Sequence, residues 1–158
     1  KTAYEIRLSL VGSEMCIRDS VYGPRQETHG EAGVVAIFCE RLLRGKQCTI
    51  YGRGTQTRDY TYVLDVVDAC ARVMTLRGAN AFNIGTGKET DVATLHAKIA
   101  AAAGVSAKAH FEPARVGEQD RSAVDASHAR KTLGWEPKFD LDAGIAETVA
   151  WFKNRNQA

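Results

Sequence analysis

The twenty residues from Thr49 to Asp68, TIYGRGTQTRDYTYVLDVVD, restrict the fold more than any other stretch of this 158-residue chain. Thr49, Ile50 and Tyr51 read as a short strand, with Thr49 and Tyr51 on one face and Ile50 on the other. The strand runs into Gly52-Arg53-Gly54, where two residues without a Cβ let the backbone turn sharply or approach a ligand closely. A β-rich segment at 60–63 follows. From Asp65 or its neighbour, Val66, Val67, Cys70, Val73 and Met74 fall along one stripe of a helix that Gly78 stops. Strands that alternate with helices in this way belong to an α/β fold with crossover connections.

The rest of the chain keeps that rhythm. Gly23-Pro24 marks a turn, and Val35, Phe38, Cys39 and Leu42 define the inner face of a helix over 33–44 that Gly45 ends. A brief strand is expected at Ala81–Ile84, feeding a Gly85-Thr86-Gly87 turn. Asp91 caps a helix over Val92–Ala103, buried through Val92, Leu95 and Ile99 and closed by Gly104. His110–Phe111 reads as a short strand before the polar segment 113–126. Ser127 is expected to cap a helix to Leu133. Asp140 caps the last helix, which turns Leu141, Ile145, Thr148, Val149 and Phe152 inward. Trp135 and Trp151 are expected core anchors.

A net charge of +2 with 25% charged residues implies neither nucleic acid nor an anionic membrane as a partner. No apolar run approaches the roughly 20 residues of a membrane span. The four cysteines, Cys16, Cys39, Cys48 and Cys70, include no Cys-x-x-Cys pair. Cys39 and Cys70 are placed on apolar helix faces as reduced, buried thiols, which fits a reducing cytoplasm. His29, His96, His110 and His128 lack metal-like spacing and read as structural or solvent-facing. Asp59, Tyr60, Asp65 and Asp68 read as structural, the last two in the first turn of a helix where carboxylates complement its dipole.

Five motifs stand in order: VYGPRQ at 21–26, GRGTQTRDYTYV within 49–68, FNIGTGKET at 82–90, PARVGE at 113–118 and LGWEP at 133–137. Together they resemble the extended short-chain dehydrogenase/reductase family, in particular its nucleotide-sugar epimerases of the UDP-glucose 4-epimerase type. The resemblance covers residues 21–158. It implies the C-terminal substrate-binding lobe of an extended Rossmann-type fold with the last Rossmann strand and helices, the N-terminal dinucleotide-binding part being missing. Apolar faces on helix 65–77 and strand 81–84 would then stand uncovered. NAD is the implied cofactor and a UDP-sugar the implied partner, with a cytoplasmic homodimer as the implied full-length protein. A dehydratase or decarboxylase on the same scaffold, or a non-catalytic nucleotide-binding module, are the alternatives.

Two apparent ligand motifs fail on context. Gly30-Glu31-Ala32-Gly33 follows a polar loop where a dinucleotide fingerprint needs a strand. Gly85-Thr86-Gly87-Lys88 lacks the earlier glycine of a P-loop, whose place is Phe82. None of the five tyrosines has a lysine four residues later, so the family's Tyr-x-x-x-Lys proton-transfer pair is absent and no residue is assigned a catalytic role. The chain by itself is expected to be inactive. Residues 1–20 show no family likeness. LSLVGSEMCIRD looks like a translated sequencing adapter, so 1–20 reads as a non-native leader, a divergent natural N-terminus being the alternative.

The site assignments follow from the resemblance. Arg58 and Arg115 match the arginines that reach the diphosphate, where a planar guanidinium suits a phosphate in charge and shape. Glu118 matches the acid that accepts from ribose hydroxyls, a solvated carboxylate being the competing role. The strand carrying Thr49 and Tyr51 matches the one whose backbone meets uracil, although Tyr51 also suits an ordinary core. Gly33 and Val34 fall where a helix N-terminus offers free N–H groups to the nucleotide.

Overall fold

The computed structural model describes residues 20–28, 33–77, 80–115, 117 and 119–155. Expectations for the leader before Ser20, for Gly78 and for Glu118 lie outside these residues. The described elements run β1 (Val21–Tyr22), α1 (Val34–Leu43), β2 (Thr49–Tyr51), β3 (Thr57–Arg58), β4 (Thr61–Tyr62), α2 (Val63–Val73), β5 (Thr90–Asp91), α3 (Val92–Ala103), β6 (His110–Glu112), β7 (Arg121–Ser122), α4 (Ser127–Leu133) and α5 (Leu141–Arg155). The chain is α/β, as expected.

Parallel pairing dominates. β1 pairs with β4 and β2 with β6, both parallel. β3 lies between antiparallel β5 and parallel β7. Each parallel pair is separated by a helix-bearing crossover, because parallel strands cannot be joined by a tight turn.

The main core forms where α1, α3 and α5 pack on one another and close over β2. Phe38, Leu42, Ile50, Leu95, Ile99, Ile145, Val149 and Phe152 are all buried there. These are the positions the helical and strand spacings select, and each such side chain contributes about 1.5–3 kcal/mol by leaving water. The termini match too. Gly45 and Gly104 take φ of 65° and 73° at the ends of α1 and α3, a left-handed turn that a Cβ disfavours. Asp91 accepts the Thr94 N–H at 2.7 Å, and Asp140 accepts that of Ala143 at 2.8 Å.

A smaller cluster joins α2 to α4, with Trp135 fully buried among Ala69, Ala126 and Ala129. Polar bonds hold much of it. The Trp135 indole donates to the Asp65 carbonyl at 2.8 Å, and the buried Asp65 carboxylate accepts from the Lys138 and Phe139 amides at 2.8 and 3.3 Å. Asp65 therefore sits in the first turn of α2 as expected, but its main work is to fasten a segment more than seventy residues away.

Several expectations are corrected. Residues 81–84 form no strand; Phe82 and Ile84 pack against the Trp135 cluster instead, with no partner strand beside them among the described residues. Ser127 is the first residue of α4 and not its cap, which is Ala126, while the Asp125 carboxylate accepts the Ser127 N–H at 2.8 Å. Helix α2 starts at Val63, and its apolar stripe lies largely outward. Leu64, Val67 and Met74 are 50%, 55% and 86% exposed, and Cys70 is exposed rather than buried. The expectation of an uncovered face on this helix is met. Cys39 and Cys48 are buried, and burial pushes their thiols up to about 12 and about 11. Trp135 anchors the smaller cluster as expected, whereas Trp151 is only partly buried.

Candidate functional site

β2 pairs with β6 along one edge. His110 N–H bonds the Cys48 carbonyl and Gly52 N–H bonds the Glu112 carbonyl, both at 2.8 Å. In a parallel ladder alternate residues face the partner, so Cys48, Ile50 and Gly52 direct their backbone groups to β6. Thr49 and Tyr51 direct theirs to the opposite edge, where no described strand pairs with β2. The Tyr51 carbonyl at that edge accepts from Gln56 Nε2 at 3.0 Å.

Tyr51 and Arg115 meet. The Arg115 guanidinium carbon lies 3.8 Å from the centre of the Tyr51 ring, a cation–π stack worth about 0.5–1 kcal/mol at an exposed site. Gly52 makes the approach possible. Its φ of 65° turns the chain at the end of β2, and a Cβ there would press on Ala114 at 3.3 Å, next to Arg115.

Arg58 stands on β3, half-buried, opposite Thr90 on one side and Ser122 on the other. Its Nη1 donates to the Thr57 carbonyl at 2.8 Å. The segment linking it to β2 is short and tied down, with Ala93 N–H on the Gly54 carbonyl and Val92 N–H on that of Gln56. Gly33 and Val34 open α1: Gly33 is its N-cap, without a side-chain cap. A Cβ at Gly33 would collide with the Gln26 amide, whose Nε2 bonds the Val21 carbonyl at 2.9 Å.

Two groups escaped sequence reasoning. Gln56 is one. The second is the exposed carboxylate of Glu89, which takes Arg121 bidentately at 2.7 and 3.0 Å and the Thr57 hydroxyl at 2.6 Å. Those two donors hold Glu89 down to about 2. Arg121 is thereby committed to an ion pair. Asp59, read as structural from the sequence, is buried, and its carboxylate receives donors from the Gly85-Thr86-Gly87 loop. The TRDY and GTGK motifs carried a signal for it, since a glycine loop rich in free N–H groups seeks an anion.

Among the described residues no group of three or more His, Cys, Asp or Glu could hold a metal ion, and no helix is long and apolar enough to cross a membrane.

A family model described as GDP-mannose 4,6 dehydratase matches residues 14–148. The chain belongs to that family, within the extended short-chain dehydrogenase/reductases. It is 50% identical over 139 residues to UDP-glucose 4-epimerase of Mycolicibacterium smegmatis, a match that covers 87% of this chain and 44% of the relative. Among solved structures, UDP-glucose 4-epimerase of Thermotoga maritima with UDP-glucose superposes with a TM-score of 0.84 at 44% identity, over 87% of this chain and 44% of that one. The Thermus thermophilus UDP-glucose 4-epimerase complexed with NAD gives 0.78 at 39% identity, over 84% and 44%. The chain thus spans under half the length of the proteins it matches.

NAD is bound in one of these neighbours. The described residues do not fit it. Among the described residues, the glycine loop at 85–87 spends its amides on Asp59, and Gly33 opens its helix against the Gln26 amide.

Proposed function

We propose that residues 21–158 form the nucleotide-sugar-binding portion of an epimerase acting on a UDP-hexose, the pair being UDP-glucose and UDP-galactose or their N-acetylated forms. Thr49 and Tyr51 lie along the base. Uracil presents an imide N–H flanked by two carbonyls, and the Thr49 carbonyl with the Thr49 and Tyr51 N–H groups, on the edge that no described strand pairs, are complementary to it. Arg58 and Arg115 take the diphosphate, Glu118 the ribose hydroxyls, and Gly33 and Val34 meet the nucleotide through the start of α1. Within this chain the work is to bind and orient. The amide edge fixes the base, and the guanidinium groups neutralise the diphosphate and set its direction.

The observation that supports this reading is the Arg115–Tyr51 stack, a cation held on a strand whose edge away from β6 no described strand pairs with. Hydride chemistry with NAD belongs to the full-length enzyme, a cytoplasmic homodimer in this reading, and the chain alone does not epimerise. Calorimetric titration with UDP tests the assignment. A charge-assisted bond of about 1.5–3 kcal/mol predicts a loss of roughly tenfold or more for Arg58→Ala and for Arg115→Ala; unchanged affinity in both variants removes it.

A further inference from the structure

We propose that Asp59 is the positioning residue for Arg58, its buried carboxylate holding the β3–β4 turn in the Gly85-Thr86-Gly87 loop so that the neighbouring guanidinium faces a diphosphate. This rests on the nucleotide-diphosphate reading above. Four donors converge on the Asp59 carboxylate. Oδ1 accepts the Thr86 N–H at 3.0 Å and the Thr86 hydroxyl at 2.5 Å, and Oδ2 accepts the Gly87 N–H at 2.8 Å and, more weakly, the Val124 N–H at 3.5 Å. The Thr86 hydroxyl accepts in turn from the Lys88 N–H at 3.1 Å, closing the loop around the charge. A Cβ at Gly85 would lie 2.6 Å from Asp59 Oδ2 and overlap Val124. The loop that resembles a phosphate cradle in the sequence is a cradle in fact, and its anion is the protein's own.

Two consequences bear on Arg58. The three strands around it are two residues each, so their ladders supply few backbone bonds. Carboxylates cross-link the same three segments at both ends. Glu89 joins Thr57 to Arg121 on one side, and Asp59 joins residues 86–87 to Val124 on the other. Arg58 lies between the two clamps, its backbone pinned through residues 57 and 59. An aspartate beside an arginine is also its nearest competitor for a ligand's place. Here the loop amides occupy the carboxylate, while among the described residues the guanidinium donates only a neutral bond, to the Thr57 carbonyl. The cation is left for an outside anion.

The test compares UDP with uridine, which share the base and ribose but not the diphosphate. Asp59→Asn keeps the shape and sets an NH2 group against at least one loop N–H. UDP affinity should fall about tenfold while uridine affinity holds, so that discrimination between the two collapses. A role confined to general stability weakens both ligands by one factor, and that result, like unaltered discrimination, overturns the proposal. Should Asp59→Asn lack the far-UV circular dichroism of the wild type, Thr86→Val decides. It removes the hydroxyl donor alone and should cut discrimination a few-fold; no change there also overturns it. A wild-type chain with no affinity for UDP sinks the nucleotide reading itself, and the positioning role with it.

Discussion

The layer of α1, α3 and α5 and the pair α2 with α4 solve the same problem differently. The first is held by interlocking apolar side chains, with the Lys98–Asp142 ion pair at 2.6 Å tying α3 to α5 at its exposed rim. The second buries few large side chains and relies on Asp65, the Trp135 indole and an Arg72 whose guanidinium donates to the Leu133 and Gly134 carbonyls at 2.9 and 2.8 Å. Meanwhile α2 leaves Leu64, Val67 and Met74 in water. Apolar packing is tolerant of detail, whereas a stitched contact depends on each bond. Where a helix buries one face poorly, directional groups must locate it.

The contrast can be broken most forcefully from the packed side. Phe152→Ala should cost about 3–5 kcal/mol by deleting a fully buried ring among α1 and α3, measured by urea denaturation; a cost under about 1 kcal/mol would show that this layer is not the main core. Next comes the stitched side. Asp65→Ala strands the Lys138 and Phe139 amides and should cost about 2 kcal/mol. Trp135→Phe removes the indole donor together with part of a fully buried ring and should cost a comparable amount. If both prove neutral, polar stitching is not what locates α2.

A pH series sharpens the apolar side further. His96 is buried against Phe38, and desolvation lowers its imidazole from the ordinary value. The folded state prefers neutral imidazole, so stability is full above about pH 6.5 and declines as pH falls from there toward the lower folded value. His96→Leu should flatten that part of the urea-midpoint profile between pH 7 and 5.5, and equal slopes in both proteins would refute it. The smallest effect belongs to the bare face of α2. Met74→Gln should change stability by less than about 0.5 kcal/mol while reducing concentration-dependent association in sedimentation velocity. A larger destabilisation would mean that Met74 is packed.

Periodicity worked where a segment's own contacts decide its form. The inner faces of α1, α3 and α5 follow from spacing, and the Asp91 and Asp140 caps follow from local chemistry. It failed at 81–84, where an apolar tetrad is equally suited to a ladder and to packing on Trp135. At α2 the stripe was read correctly as helical, yet a helical stripe says nothing about whether anything covers it. The site was legible in part. Tyr51, Arg58 and Arg115 stood out through their motifs, while Gln56 and Glu89 carry no local mark.

One reading changed character between the two levels. From the sequence, Gly85-Thr86-Gly87-Lys88 is a phosphate-loop look-alike that fails on context, and Asp59 reads as structural. Only the fold, bringing residue 59 against residues 86 and 87, determined that these satisfy each other. Local order is written in neighbouring residues because dihedral preferences and spacing act over one or two turns. Partnership across dozens of positions depends on where chain segments come to rest, and that is a property of the packed whole.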